Sequence, residues 1–162
     1  MKEKFIVSSK DAEIHSFVPM YTKILNKFDP TTVFEWGPGL NTMLALYTDS
    51  IQRIVSIEFD ARWIKHYDER LASVIVPIES EMYTTFFGLE DIDLYFVDSR
   101  RRADCLLACF VNAKDEALIC LHDAGRISYH SALSEFPHVH FFDAGFAVAT
   151  KSSKIYDRLK NL

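Results

Sequence analysis

Apolar positions follow two rhythms along the chain. Short unbroken runs alternate with stripes at helical spacing, the pattern of a parallel sheet with helices packed on it. Phe17, Met20, Tyr21, Ile24, Leu25 and Phe28 fall on one helical face. Pro19 lacks an N–H and either starts the main helix or kinks an earlier one over Asp11–Phe17, and Asp29-Pro30 ends it. Thr32–Glu35 and Ile54–Glu58 predict two strands, with Leu40, Met43, Leu44 and Tyr47 at helical spacing between them. Asp60 suits the N-cap of a helix that buries Trp63, Ile64, Tyr67 and Leu71. Val74–Ile78 contains Pro77, which places this third strand at a sheet edge. Leu94–Asp98 and Ala117–Leu121 are unbroken and predict central strands, joined through a stripe of Ala103, Leu106, Leu107 and Phe110. A short helical stretch at Tyr129–Phe136 follows. His138–Phe142 and Phe146–Thr150 then pair as an antiparallel hairpin around Asp143-Ala144-Gly145. The last helix begins at Ser152.

No repeat or low-complexity linker divides the 162 residues, so a single domain over 1–162 is expected. It comprises a helical segment at 1–30, an α/β core at 31–151 and a C-terminal helix at 152–162. Hydrophobic residues at 49% and charged residues at 25% exclude a disordered or fibrous chain. No apolar run approaches the ~20 residues of a membrane span, and Met1–Phe5 is too charged for a secretory signal. The three cysteines, Cys105, Cys109 and Cys120, form no C-x-x-C pair. Buried, reduced thiols and a cytoplasmic location are expected. A net charge of −5 argues against a nucleic-acid partner. Phe141, Phe142 and Phe146 offer an apolar surface for a homo-oligomer, unless they face the core.

The chemistry concentrates where the first strand turns into a helix, at Phe34-Glu35-Trp36-Gly37-Pro38-Gly39. Two glycines let the backbone approach a ligand, and the helix start beyond favours polar or anionic groups. Glu58, nineteen residues after Gly39, ends the next strand, where an acidic side chain grips a ribose diol. A dinucleotide fingerprint would require a third glycine at position 42, which is Thr42. Glu35 would repel a pyrophosphate but attract an α-ammonium group. A ligand with a ribose and an amino-acid tail fits both carboxylates, as S-adenosylmethionine does.

On these residues, over roughly 31–151, the chain resembles the class I S-adenosylmethionine-dependent methyltransferases. It looks most like small members whose fourth and fifth strands end as Val97-Asp98-Ser99-Arg100 and Leu121-His122-Asp123 do here. The resemblance implies a Rossmann-like three-layer α/β sandwich, with a seven-stranded, mostly parallel sheet ordered 3-2-1-4-5-7-6 and strand 7 antiparallel. It implies that Glu35, Gly37 and Gly39, with Trp36 and Thr42 in the same motif, bind the methionine end. By the same token Glu58 binds the ribose, Phe59 packs on the adenine, residues 79–82 lie near the purine, and Asp98 sits beside the sulfonium. The chain is short for that family and has almost no insertion that could act as a substrate lid.

Ligands of open α/β sheets collect at the carboxyl ends of the strands, which groups Glu35, Glu58, Asp98, His122 and Asp123. Methyl transfer depends chiefly on positioning, and a hydroxyl nucleophile must also lose a proton. His122 is the candidate base, with Asp98 or Asp123 orienting it. Asp98 and Asp123 could also hold a divalent cation, as in some relatives. Ala124 stands where the metal-dependent enzymes have Asn, so a cation is not favoured and no metal ligand is assigned. Arg100 and Arg102 are candidate binders of an anionic substrate group, while surface pairing with Asp93, Asp104 or Glu116 accounts for at least two of Arg100–Arg102. His138 and His140 read as solvent-facing hairpin residues, and Cys105 and Cys109 as core. His15, Tyr21 and Tyr129 read either as pocket residues or as parts of amphipathic helices.

The expected activity is methyl transfer from S-adenosylmethionine, leaving S-adenosylhomocysteine, to a small-molecule or glycan acceptor, at oxygen. The alternative is a catalytically degenerate module that holds the cofactor or its product and works through protein contacts. A nicotinamide-dependent oxidoreductase is disfavoured by Thr42 and Glu35.

Overall fold

The computed structural model describes residues 16–60, 75–77, 82–84, 91–143 and 145–162, with 75–77 described as backbone only. The helix expected after Asp60, the segment 79–81, the stretch Asp11–His15 and the N-terminus before it lie outside the described residues. Helix α1 spans Val18–Phe28 with Pro19 in its first turn, and Asp29 ends it in the left-handed region (φ 47°). Strand β1 (Thr32–Trp36) leads to α2 (Leu40–Leu46), then β2 (Arg53–Glu58) and β3 (Ile75–Pro77). Next come β4 (Leu94–Val97), α3 (Arg102–Asn112) and β5 (Leu118–His122). A 3-10 turn (Ile127–Tyr129) and α4 (His130–Leu133) precede β6 (His138–Phe141), β7 (Phe146–Thr150) and α5 (Ser153–Leu159).

These strands form one sheet of mixed orientation, ordered β3-β2-β1-β4-β5-β7-β6. Strand β7 runs antiparallel to both neighbours, while the pairings from β3 to β5 are parallel. The Pro77 strand is at the edge, and β4 and β5 are interior and fully buried over their apolar runs. A proline has no N–H to give a second neighbour, and an unbroken apolar run suits a strand covered on both faces.

Strand side chains alternate between two helical layers. Val33, Leu94, Phe96, Leu118, Cys120, Phe146 and Val148 pack with α1, α2 and α5. Phe34, Trp36, Tyr95, Val97, Ile119 and Leu121 pack with α3 and α4 around Cys105, Leu106 and Cys109. All three cysteines are buried, and burial pushes the Cys105 thiol up to about 12. Period-two alternation has a functional consequence. Glu35 shares the parity of Val33, Asp98 that of Phe96, and His122 that of Cys120, so these polar side chains belong to the α1/α2 face.

The hairpin corrects two readings. Phe146 is fully buried and Phe142 packs against the same core, so only Phe141 of the three aromatics stays exposed. Most of the expected association surface is therefore spent on folding. His138 and His140 are half-buried rather than solvent-facing, because α5 lies across β6. His138 stacks on Tyr156 at 5.0 Å, and His140 meets Phe142 at 4.5 Å. Among the described residues no helix is long and apolar enough to cross a membrane.

One close approach shapes the sheet's carboxyl edge. Gly37 has φ +88°, and a β-carbon there would fall 2.0 Å from the Asp98 carbonyl oxygen. The Gly37 N–H donates to Ile57 O (3.2 Å) and the Asp98 N–H to Trp36 O (2.8 Å), locking β1 to both neighbours. Gly37→Ala is therefore expected to lose more than about 2 kcal/mol of unfolding free energy in urea titrations, from clash and left-handed strain together. An unchanged midpoint would contradict this.

Candidate functional site

A cavity of about 440 Å³ opens at the carboxyl ends of β1, β2 and β4. Gly37, Pro38, Gly39 and Asn41 line one side, Glu58, Phe59 and Asp60 another, and Asp98, Ser99, Arg100 and Arg102 a third, with Phe17 and Tyr83 between them. The strand order reverses direction between β1 and β4, and open α/β sheets bind ligands at that crevice. Of the expected cofactor residues, Gly37, Gly39, Glu58, Phe59 and Asp98 meet there.

Glu58 is held in place by the backbone that follows it. Its Oε1 accepts the N–H groups of Phe59 (2.8 Å) and Asp60 (2.9 Å), which fixes the carboxylate at the rim. Burial raises its pKa, while those two N–H groups pull it back.

Glu35, Trp36 and Thr42 are placed otherwise than expected. The Trp36 side chain is turned by strand alternation into the α3 layer, where its indole N–H donates to Tyr83 O at 2.7 Å. Thr42 is buried at the start of α2, where its hydroxyl accepts the Gly39 N–H at 2.9 Å, so it shapes the turn and does not line this cavity. Glu35 is 0% exposed and lies behind the turn rather than at the cavity wall. Its Oε1 accepts from Asn41 Nδ2 at 3.0 Å, and the same amide nitrogen reaches Gly37 O at 3.3 Å. Asn41, which the sequence reading missed, thus stands between the buried carboxyl and the cavity.

Burial pushes Glu35 up from 4.5 to about 7, against the pull of the Thr42 and Ser56 hydroxyls and the Asn41 amide, and with the Asp98 charge adding to the rise. Tyr21, fully buried on α1, faces the same pocket of polar atoms. The Tyr21 hydroxyl, Glu35 Oε2 and the Ser56 hydroxyl have no hydrogen bond of good geometry. Tyr21 is therefore a core residue.

At the ends of β4 and β5 a charged cluster surrounds His122. Its Nδ1 lies 3.1 Å from Asp98 Oδ2, its Nε2 3.8 Å from Asp123 Oδ1, and its ring packs on Phe17 at 4.8 Å. Arg102 is only 9% exposed. It pairs with Asp98, reaches Asp123 Oδ2 at 3.2 Å, and lies 5.7 Å over the Tyr129 ring. Arg126 closes on Asp123 Oδ2 at 2.7 Å. Asp123 itself adopts a left-handed φ of 59°, held by its N–H to Gly145 O (2.7 Å), a conformation found at constrained sites. Burial would raise Asp98, but His122 and Arg102 together hold it below the usual carboxylate range.

This geometry corrects Arg102 as a receptor for an anionic substrate, because two carboxylates already use its guanidinium. Arg100, largely exposed on the rim, has Asp60 Oδ2 at 3.9 Å, and Arg101 pairs with Asp104 as a surface residue. The same cluster answers the cation question. Asp98 and Asp123 do not fit a divalent metal, since the Arg102 guanidinium already bridges the two oxygen donors, and no group of three or more candidate ligands occurs among the described residues.

No protein-family model matches the chain, and no curated protein matches it. Solved structures do. A methyltransferase-like protein from Silicibacter pomeroyi superposes with a TM-score of 0.67 at 16% identity, covering 99% of this chain and 96% of that one. The chain carries the fold of the class I S-adenosylmethionine-dependent methyltransferases. The O-methyltransferase TomG from Streptomyces achromogenes, solved with S-adenosylmethionine, covers 91% of this chain and 82% of its own at TM-score 0.62 and 14% identity. Spermidine synthase from Thermotoga maritima also matches, with 90% of this chain and 61% of that chain covered, TM-score 0.60 and 19% identity. The methyltransferase fold is thus shared with an enzyme named for a different product, and the site must decide the chemistry.

The buried carboxyl gives a pH signature. Glu35 is protonated in the folded chain up to about 7 but ionises near 4.5 when unfolded. Between those values the unfolded state binds fewer protons, so stability falls as pH rises and the full loss, on the order of 3 kcal/mol, is present above pH 7. Glu35→Gln, which keeps an acceptor for Asn41, is expected to melt higher than wild type at pH 8 and to converge with it near pH 4.5. Parallel melting curves across that range would contradict the assignment.

Proposed function

We propose that the protein is an S-adenosylmethionine-dependent methyltransferase acting on a hydroxyl of a small-molecule or glycan acceptor. The observation that carries the reading is the joint placement of the Gly37–Gly39 turn, the Glu58 carboxylate and Asp98 around one cavity, with His122 Nδ1 3.1 Å from Asp98 Oδ2. The cavity fits the cofactor in three respects. The Gly37–Gly39 turn lines it without side chains, the backbone-held Glu58 carboxylate suits ribose hydroxyls, and the aromatic Phe59 lies next to it. When bound, S-adenosylmethionine supplies an electrophilic methyl group on a sulfonium.

The chain's own residues would divide the remaining work. Glu58 accepts from the sugar, Phe59 packs on the base, and Asn41 presents polar atoms at the amino-acid end with Glu35 behind it. Asp98, held below the usual carboxylate range by His122 and Arg102, faces Nδ1 of the His122 ring, and His122 takes the proton from the acceptor hydroxyl. The proton goes to the other ring nitrogen, Nε2, which lies 3.8 Å from Asp123 Oδ1, outside hydrogen-bond reach. The acceptor side is close to charge balance, because Arg102 and Arg126 are matched to Asp98 and Asp123. That disfavours a polycationic amine, which needs unmatched carboxylates, and favours a neutral hydroxyl.

Calorimetric titration tests the cofactor half. Wild type is expected to bind S-adenosylhomocysteine, and Glu58→Ala to bind it at least about tenfold more weakly, a charge-assisted hydrogen-bond loss. No binding by wild type, or tighter binding of NAD, would overturn the reading. For the chemical half, transfer of a labelled methyl group to a panel of hydroxylated compounds is expected to fall at least about a hundredfold in His122→Asn with cofactor affinity kept. Full turnover in that variant would remove His122 from the role.

A further inference from the structure

Helix α3 is apolar on the side it turns to solvent. Between Arg102 and Asn112 its sequence runs Ala-Asp-Cys-Leu-Leu-Ala-Cys-Phe-Val, in which Asp104 is the one charged side chain. Cys105, Leu106 and Cys109 are buried against the sheet, whereas Leu107 is 43% and Val111 73% exposed. Asp104, Leu107, Ala108 and Val111 stand at i, i+3, i+4 and i+7, one continuous stripe along the helix. Helices α1 and α5 follow the ordinary rule instead. They turn Lys23, Asn26 and Lys27, and Lys154, Asp157 and Arg158, to solvent. A helix that is apolar nearly all round belongs in an interior, and α3 has one open side.

The residues at its two ends decide what closes that side. Before the helix, Arg101 lies along the stripe, with its Nε 2.9 Å from Asp104 Oδ2. Past the helix, the loop exposes Asp115 and Glu116, whose side chains form no ion pair among the described residues. A second α3 laid antiparallel, with Leu107 of each copy against Val111 of the other, brings Arg101 within a turn of Asp115 of the other copy. It also sets Asp104 level with Lys114. Opposite charges then meet at both ends, and the twofold axis repeats each contact. A parallel pair would set Arg101 against Arg101 and Asp115 against Asp115. Ala108, small and near the middle, lets the two helices come close.

We propose that the α3 face is an interface for a second copy of this chain, paired antiparallel through Leu107 and Val111 with Arg101 on Asp115 at each end. None of these residues lines the cavity, so mutation can separate the interface from ligand binding. A contact built on one helix pair is at the small end of interface sizes, which corresponds to a reversible dimer with a micromolar dissociation constant.

Sedimentation equilibrium of the full chain, from micromolar to submillimolar concentration, tests the arrangement. Wild type is expected to dimerise. Val111→Glu, a change at a solvent-facing position, should dimerise at least about tenfold more weakly while melting as wild type does in dilute solution. Arg101→Glu and Asp115→Lys should each stay largely monomeric alone, since either homodimer opposes like charges at both ends. Mixed in equal amounts they should associate as wild type does, because the mixed pair restores two opposite-charge contacts. Wild type that stays monomeric throughout would overturn the proposal, as would a dimer indifferent to Val111→Glu. Single variants that dimerise normally, or a mixture that gains nothing over them, would overturn the antiparallel pairing and the proposal with it. A wild-type monomer that sediments with phosphatidylcholine vesicles, and no longer does so as Val111→Glu, would assign the face to lipid instead of a second copy.

Discussion

Gly37 and the Asp98 carbonyl lie so close that no β-carbon fits between them, and the geometry of the cleft follows from that contact. The approach brings the end of β1 against the end of β4 at the point where strand order reverses. Asp98 is thereby set beside the turn, and the Gly37 N–H is tied to β2, so the ends of three strands form one rim. Glu58, Asp98 and His122 arrive there from β2, β4 and β5 because strand alternation points all three toward the α1/α2 layer. A single left-handed glycine thus serves sheet closure and cavity shape together.

The charges at this rim are arranged in two contrasting ways. Around His122 they are matched. Arg102 and Arg126 pair with Asp98 and Asp123, and His122 Nδ1 lies 3.1 Å from Asp98 Oδ2. Under the glycine turn they are unmatched. Glu35 is desolvated, no cation among the described residues pairs with it, and it keeps its proton to about pH 7. The buried carboxyl couples the turn to pH through its hydrogen bond from Asn41.

Much of the architecture was legible in the sequence because it depends on local rules. Proline in Val74–Ile78 put that run at the edge, unbroken apolar runs put β4 and β5 inside, and Asp143–Gly145 marked the hairpin. The glycine turn and Glu58 were legible because their spacing is tied to one supersecondary unit. What stayed hidden depends on contacts across long loops. Tyr83, far from the cavity's other residues in sequence, is tied to Trp36 by the indole N–H donating to its carbonyl. Asn41 gains its role from a carboxyl six residues away on a different element. Arg102 was read as a substrate binder or a surface partner of Asp93, Asp104 or Glu116, because an i,i+4 pair from a strand end into a helix, Asp98 to Arg102, leaves no periodic trace. Trp36 and Glu35 were read together from their motif, although adjacent strand residues face opposite layers.

Backbone amide shifts on adding S-adenosylhomocysteine, followed by nuclear magnetic resonance, test the central claim most directly. Saturable shifts should centre on Gly37, Gly39, Phe59 and Ser99, with the opposite end of the sheet near Asp93 and Lys114 unmoved. Shifts centred at that opposite end, or none at millimolar ligand, would contradict the claim that these three strand ends form a nucleoside site.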